Sequence, residues 1–133
     1  MQSGSRREPL RRGPIEVRPS TIAGWGVFAR RPILEGALVE ECAVLVLDDV
    51  PEALADHVIE WQRGSGLRAL PLGYGALYNH ADSPNAGWST DVDRGLMVIG
   101  ALRDIAEDEE ILISYGPRWF GDREVTVRTG GDE

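Results

Sequence analysis

The chain of 133 residues contains a single cysteine, Cys42. One thiol excludes an intramolecular disulfide and any zinc site built on a cysteine cluster. A reducing, intracellular setting is the simplest reading, cytoplasmic if the host is bacterial. No apolar run approaches ~18 residues, so no membrane span is expected, and the N-terminus lacks the hydrophobic stretch of a signal peptide. Histidine is scarce: His57 and His80 are the two in the chain. His57 has no second ligand at a familiar spacing, and the run holding Asp82, Asp91 and Asp93 does not match a calcium loop, so no metal is expected. Basic residues are in deficit, with 14 Lys and Arg against 22 Asp and Glu and a net charge of -8. Nucleic-acid binders carry a basic face. The charge therefore argues against nucleic acid and leaves room for a basic peptide or protein partner. There is no internal repeat, and no alternation of strand and helix of the kind that builds a dinucleotide-binding sheet.

Against these absences stands a hydrophobic content of 42%, enough for one domain with a real core. Residues 1–14 are polar, basic and marked by Gly and Pro, and read as a mobile arm. Four Arg in that arm are too few to favour a nucleic-acid or membrane tether. Strands are expected at 15–20, 37–47, within 95–105, and at 109–116, where Ile111, Ile113 and Tyr115 alternate. The stretch 51–63 opens on Pro51 and carries apolar residues at mixed helical spacing, which predicts a helix. Residues 67–80 predict a loop, a short strand and a tight helical turn. The sum is a mostly β domain of short strands with long glycine-rich connections.

Three short motifs hold the chemistry. In `GWG` (24–26) two glycines flank Trp25. Turn glycines around a core Trp are one reading, and a flat backbone against which a bulky cofactor lies is the other. In `YNHADSPNA` (78–86), Asn79 and His80 precede a turn set by Pro84 and Asn85. With no metal partners and no nucleophile beside it, since Cys42 sits in an apolar strand, hydrogen bonding remains for this pair. The Asn79 amide can orient a polar ligand while the His80 ring ties neighbouring backbone together. In `EDEEILISYG` (107–116) an acidic turn feeds a strand. Tyr115 at its end either packs or points its hydroxyl into a pocket.

`GWGVFA` (24–29), `YNHADSPNA` and `EDEEILISYG` occur in this order, separated by about fifty and then about twenty residues. The ordered triple resembles the SET domain family of protein lysine methyltransferases, most of all its short free-standing members from bacteria and large viruses. The resemblance runs from about Ile15 to Arg123. It implies a SET-type β-clip fold of several small sheets with a C-terminal pseudo-knot, a short helical insert at 51–67 and a tail at 124–133. It also implies S-adenosylmethionine as cofactor, bound on one face, and a lysine of a basic protein entering from the other. The positions carried over are Gly24, Trp25, Gly26, Asn79 and His80 for the cofactor, Tyr115 for catalysis, and Glu110 as a structural residue of the knot.

Larger relatives close the channel with a cysteine-rich zinc segment, which one cysteine cannot supply. Trp119 and Phe120 are the available substitute, as an aromatic lid or as core anchors. Ile113 stands where relatives often carry an aromatic that tunes methylation degree. Trp88, Tyr78 and Tyr74 are further channel candidates. The minimal insert leaves a shallow substrate groove that a second subunit would complete. The alternative to an enzyme is a catalytically silent SET-like module that binds peptide.

Overall fold

The computed structural model describes residues 8–114. Tyr115, Trp119, Phe120 and the 124–133 tail lie outside the described residues. The described strands are β1 (Ile15–Pro19), β2 (Trp25–Ala29), β3 (Leu38–Leu47), β4 (Ile59–Trp61), β5 (Leu67–Pro71), β6 (Asn79–His80), β7 (Ala86–Asp91), β8 (Leu96–Ala101) and β9 (Glu110–Ile113). They form two sheets, one in the order β1-β2-β9-β6 and one in the order β4-β5-β3-β8-β7. The mostly β architecture of small sheets is as expected. No helix among the described residues is long and apolar enough to cross a membrane.

Burial explains the strands. In β9, Ile111 and Ile113 are fully buried while Glu110 and Leu112 are half-buried, the period-two pattern of a strand with one covered face. β8 is buried along its whole length and is paired on both edges, by β3 and β7. Its continuous apolar run `LMVIGA` is what such a position requires. β3 is long enough to serve two partners, pairing with β8 through Leu38–Ala43 and with β5 through Val44–Leu47. An irregularity between Leu38 and Glu40 bends it near the start.

The helix expected over 51–63 is not formed. Glu52–His57 makes a 3-10 helix with no buried residue, and the chain then becomes β4. Without an apolar face to bury, the turn has nothing to extend it. Ile59 and Trp61 instead go inward at strand spacing, with Glu60 half-buried between them. The 51–67 insert is therefore helical only over the short 3-10 helix Glu52–His57 and continues as the edge strand β4.

The arm expected at 1–14 is fastened from Arg11 onward. Arg12 bridges Glu40, the Gly13 N–H donates to the Val39 carbonyl at 2.8 Å, and the Glu41 N–H donates to the Arg11 carbonyl at 2.9 Å. The cause is electrostatic. Glu40 and Glu41 are 1% and 5% exposed, and buried carboxylates need partners. Arg11 supplies its N–H at 2.9 Å and its guanidinium at 2.8 Å to Glu41, Arg94 adds a contact at 3.2 Å, and Arg12 reaches Glu40 at 3.2 Å.

Deleting residues 1–10 is expected to leave the denaturant midpoint nearly unchanged. Deleting residues 1–12 takes Arg11 and Arg12 from the two buried carboxylates, leaving Arg94 on Glu41 and Tyr78 with the Tyr74 N–H on Glu40, and is expected to cost about 3 kcal/mol. Burial alone would raise the Glu41 carboxyl, but Arg11 and Arg94 hold it below the ordinary value. A depressed carboxylate stabilises the fold above its unfolded pKa of about 4.3 and stops doing so as pH falls through the folded value. Stability measured by urea unfolding is therefore expected to fall on acidification below about pH 4.3, and Glu41→Gln is expected to make that acid limb shallower.

Candidate active site

The three sequence motifs lie far apart in the chain and adjacent in one sheet. β2 carries `WGVFA` with Gly24 just before it, β6 is the Asn79–His80 pair and β9 opens with Glu110. β9 sits between the other two, antiparallel to β2 with Val27 opposite Ile111, and parallel to β6 with Asn79 opposite Leu112.

Asn79 is the point of contact. Its side-chain amide donates to the Ala23 carbonyl at 3.1 Å, the Trp25 carbonyl at 3.3 Å and Glu110 Oε2 at 2.8 Å. The other carboxylate oxygen, Oε1, accepts from the Ser20 hydroxyl at 2.9 Å. Ser20 Oγ also accepts from the Ile22 N–H at 2.9 Å, and the Ser20 N–H reaches the Gly24 carbonyl at 2.8 Å, closing the turn between β1 and β2. Thus the Asn79 amide N–H groups serve the protein, fastening the Trp25 loop to β9.

The two glycines differ in purpose. Gly24 has φ +48° and open space where a Cβ would stand. It is there for its left-handed backbone. At Gly26 a Cβ would fall 2.2 Å from Glu110 Oε2 and 3.1 Å from Ser20 Cβ. It is there because the carboxylate fills the position. Between them Trp25 is 59% exposed, an indole displayed to solvent beside bare backbone. Such an exposed aromatic suits a flat or cationic ligand.

His80 stands apart from this cluster. Its ring faces Asp82 at 3.2 Å on the exposed side, while the following Ala81 N–H donates to the Ile113 carbonyl at 3.0 Å. Ile113 and Trp88 are buried in the core, and the Trp88 indole N–H donates to the Ser114 carbonyl at 2.9 Å.

Tyr74 and Tyr78 gather at a second centre, around Glu40. The Tyr78 hydroxyl donates to Glu40 Oε1 at 2.6 Å, and the Tyr74 N–H donates to Oε2 at 3.0 Å. The Arg12 guanidinium lies over the Tyr74 ring, 3.9 Å from its centroid. Burial, and next the Glu40 charge, push the Tyr78 phenol well up. The same two causes push the Cys42 thiol up, and its side chain is buried. A cavity of about 250 Å³ opens beside this centre, lined by Leu10, Arg12, Glu40, Cys42, Leu72 and Gly73 among others.

Sequence reasoning missed Asn85, Ser20 and Glu40 as organisers. Asn85 is buried and acts as a strand edge for β9. Its amide donates to the Glu110 carbonyl at 2.8 Å and its Oδ1 accepts from the Leu112 N–H at 2.8 Å. The turn residue Asn85 thus braces β9, and β9 in turn pairs with the Asn79 segment. The signal for Glu40 was legible: two glutamates inside an apolar strand demand partners.

The SET domain family pattern matches residues 24–116. A Schizosaccharomyces pombe histone-lysine N-methyltransferase, H3 lysine-37 specific, is 33% identical over 124 residues, covering 87% of this chain and 83% of that protein. A candidate histone methyltransferase of Plasmodium falciparum superposes with a TM-score of 0.68 at 34% identity, over 83% of this chain and 99% of that one. A chain of ctPRC2, in an autoinhibited conformation bound to S-adenosylmethionine, superposes with a TM-score of 0.67 over 81% of this chain and 16% of that one. At 18% identity the last likeness is one of fold.

Gly26→Ala is expected to expel the Glu110 carboxylate from Ser20 and Asn79 and to destabilise by about 2 kcal/mol or more. Gly24→Ala meets no neighbour and is expected to cost about 1 kcal/mol through its backbone alone. Urea unfolding of both variants checks this, and equal losses would show that the carboxylate does not dictate Gly26.

Proposed function

The chain belongs to the SET domain family and is a lysine methyltransferase of that family, and we propose that it carries a methyl group from S-adenosylmethionine to a lysine of a histone or another basic protein inside the cell. The observation that carries this reading is the adjacency of β2, β9 and β6. It brings the exposed Trp25 loop, the Asn79 segment and the strand leading to Tyr115 into one sheet.

The residues fit the cofactor. Trp25 offers an exposed indole, and the space over Gly24 is open. When bound, S-adenosylmethionine supplies a methyl group activated by a sulfonium. Trp25 would lie against it, and an indole face attracts a cation. Asn79 and Glu110 would hold the loop in its binding shape, so that its order precedes the ligand. His80 would contribute through the backbone of β6.

The chain must also make an amine nucleophilic. A lysine has an ordinary pKa of about 10.4 and is a cation at neutral pH. A dry channel disfavours that charge and releases the proton. Ile113, buried at the end of β9, would give the channel an apolar wall. Tyr115 would turn its hydroxyl to the reacting centre and align amine and methyl. With an ordinary pKa of about 10 it orients and does not abstract. Trp119 and Phe120 would lie over the substrate side. The net charge of -8 steers basic proteins toward the enzyme.

The 14 basic side chains of the chain are all arginine, so it offers no lysine of its own. Incubation with labelled S-adenosylmethionine and a histone and ribosomal-protein mixture is expected to label lysines of the substrates and none of the enzyme. Tyr115→Phe is expected to lower kcat at least about 100-fold while S-adenosylmethionine affinity stays within about 2-fold. A folded protein that binds S-adenosylmethionine and basic peptides but transfers no label would contradict the reading.

A further inference from the structure

We propose that Trp88 is a positioning residue for methyl transfer, whose indole N–H holds the carbonyl of Ser114, the residue before Tyr115. The inference rests on the reading of Tyr115 as the residue at the reacting centre. Trp88 stands in β7, opposite Ile99 of β8, and is 2% exposed. Its Nε1–H donates to the Ser114 carbonyl at 2.9 Å. That carbonyl is one half of a peptide unit whose other half is the Tyr115 N–H. Holding that oxygen restrains the chain at Ser114, the residue before Tyr115.

A second tether lies one residue earlier. The Ile113 carbonyl accepts from the Ala81 N–H at 3.0 Å. Two successive carbonyls at the end of β9 are thus gripped by two elements, β7 and the residue that follows β6. The Ala81 bond continues the β6–β9 ladder, but simple packing does not call for the Trp88 bond. A leucine or phenylalanine fills a core without bringing a donor that must be satisfied. The donor here meets the backbone oxygen adjacent to the phenol-bearing residue. Alignment is what the reaction needs, and an error of about 1 Å in placement can cost about 100-fold in rate without weakening substrate binding.

The test uses the full chain, S-adenosylmethionine and a lysine peptide that the wild type methylates. Trp88→Phe removes the N–H. Replacement of the Trp88 indole by benzothiophene removes the N–H while keeping the ring shape, and serves if the phenylalanine variant does not fold. Ile99→Val loosens the same spot and keeps the donor. Both Trp88 variants are expected to lose about 10- to 100-fold in kcat, with KM and S-adenosylmethionine affinity within about 3-fold, and Ile99→Val is expected to keep its kcat. A benzothiophene variant with wild-type kcat, or an Ile99→Val loss as large as its own, would overturn the inference. If Tyr115→Phe is inactive while the benzothiophene variant is normal, this inference alone fails. If the wild type transfers nothing to any lysine, the reading beneath it fails as well.

Discussion

The hydrogen bond from the Asn79 amide to the Glu110 carboxylate, 2.8 Å long, is the contact on which the candidate site depends. Glu110 opens β9, Asn79 opens β6, and the same amide reaches the carbonyls of Ala23 and Trp25. One side-chain amide therefore joins three segments that the chain order keeps far apart. Its consequences spread outward. Because the carboxylate occupies the place of a side chain, residue 26 must be glycine. Because Ser20 meets the other carboxylate oxygen, the turn before Trp25 is closed. Trp25 is exposed on a loop whose Ala23 and Trp25 carbonyls are held by the Asn79 amide.

A pair of acids organises a second centre, in β3 of the other sheet. Glu40 and Glu41 sit side by side in β3 and are both buried, although adjacent strand residues point to opposite faces. They recruit different partners accordingly: Tyr78, the Tyr74 N–H and Arg12 for Glu40, and Arg11 with Arg94 for Glu41. The N-terminal segment is thereby part of the wall. Arg12 lies between the Glu40 carboxylate and the Tyr74 ring, so the two tyrosines are fixed in place, with the Tyr78 proton committed to Glu40. Both centres use buried carboxylates that accept several donors, an arrangement that fixes geometry more than it adds stability.

Much of this was legible in the sequence, for reasons that differ by residue. The period-two run at Ile111 and Ile113 gave β9, and the apolar runs gave β3 and β8, because burial leaves its mark on composition. The order of the `GWG`, `NH` and `SYG` blocks pointed to the family. β2 and β7 were not foreseen as strands, because Gly26 and Gly87 read as turn residues when their partners are out of view. Gly26 is a strand glycine for the sake of a carboxylate 84 positions away in the chain, a contact no local pattern encodes. The helix over 51–63 failed where apolar composition was taken for a helical face, although Ile59 and Trp61 turn inward as a strand. The role of Asn85 was hidden in the same way: `PN` announces a turn, whereas its side chain completes the ladder of β9.

The most direct measurement of this account is a double-mutant cycle on Asn79→Ala and Glu110→Ala, read by urea unfolding. The contact is expected to appear as a coupling of about 1.5–3 kcal/mol, as for a hydrogen bond to a buried charge. Additivity of the two losses within about 0.5 kcal/mol would show that the strands are joined by something else and would contradict the account.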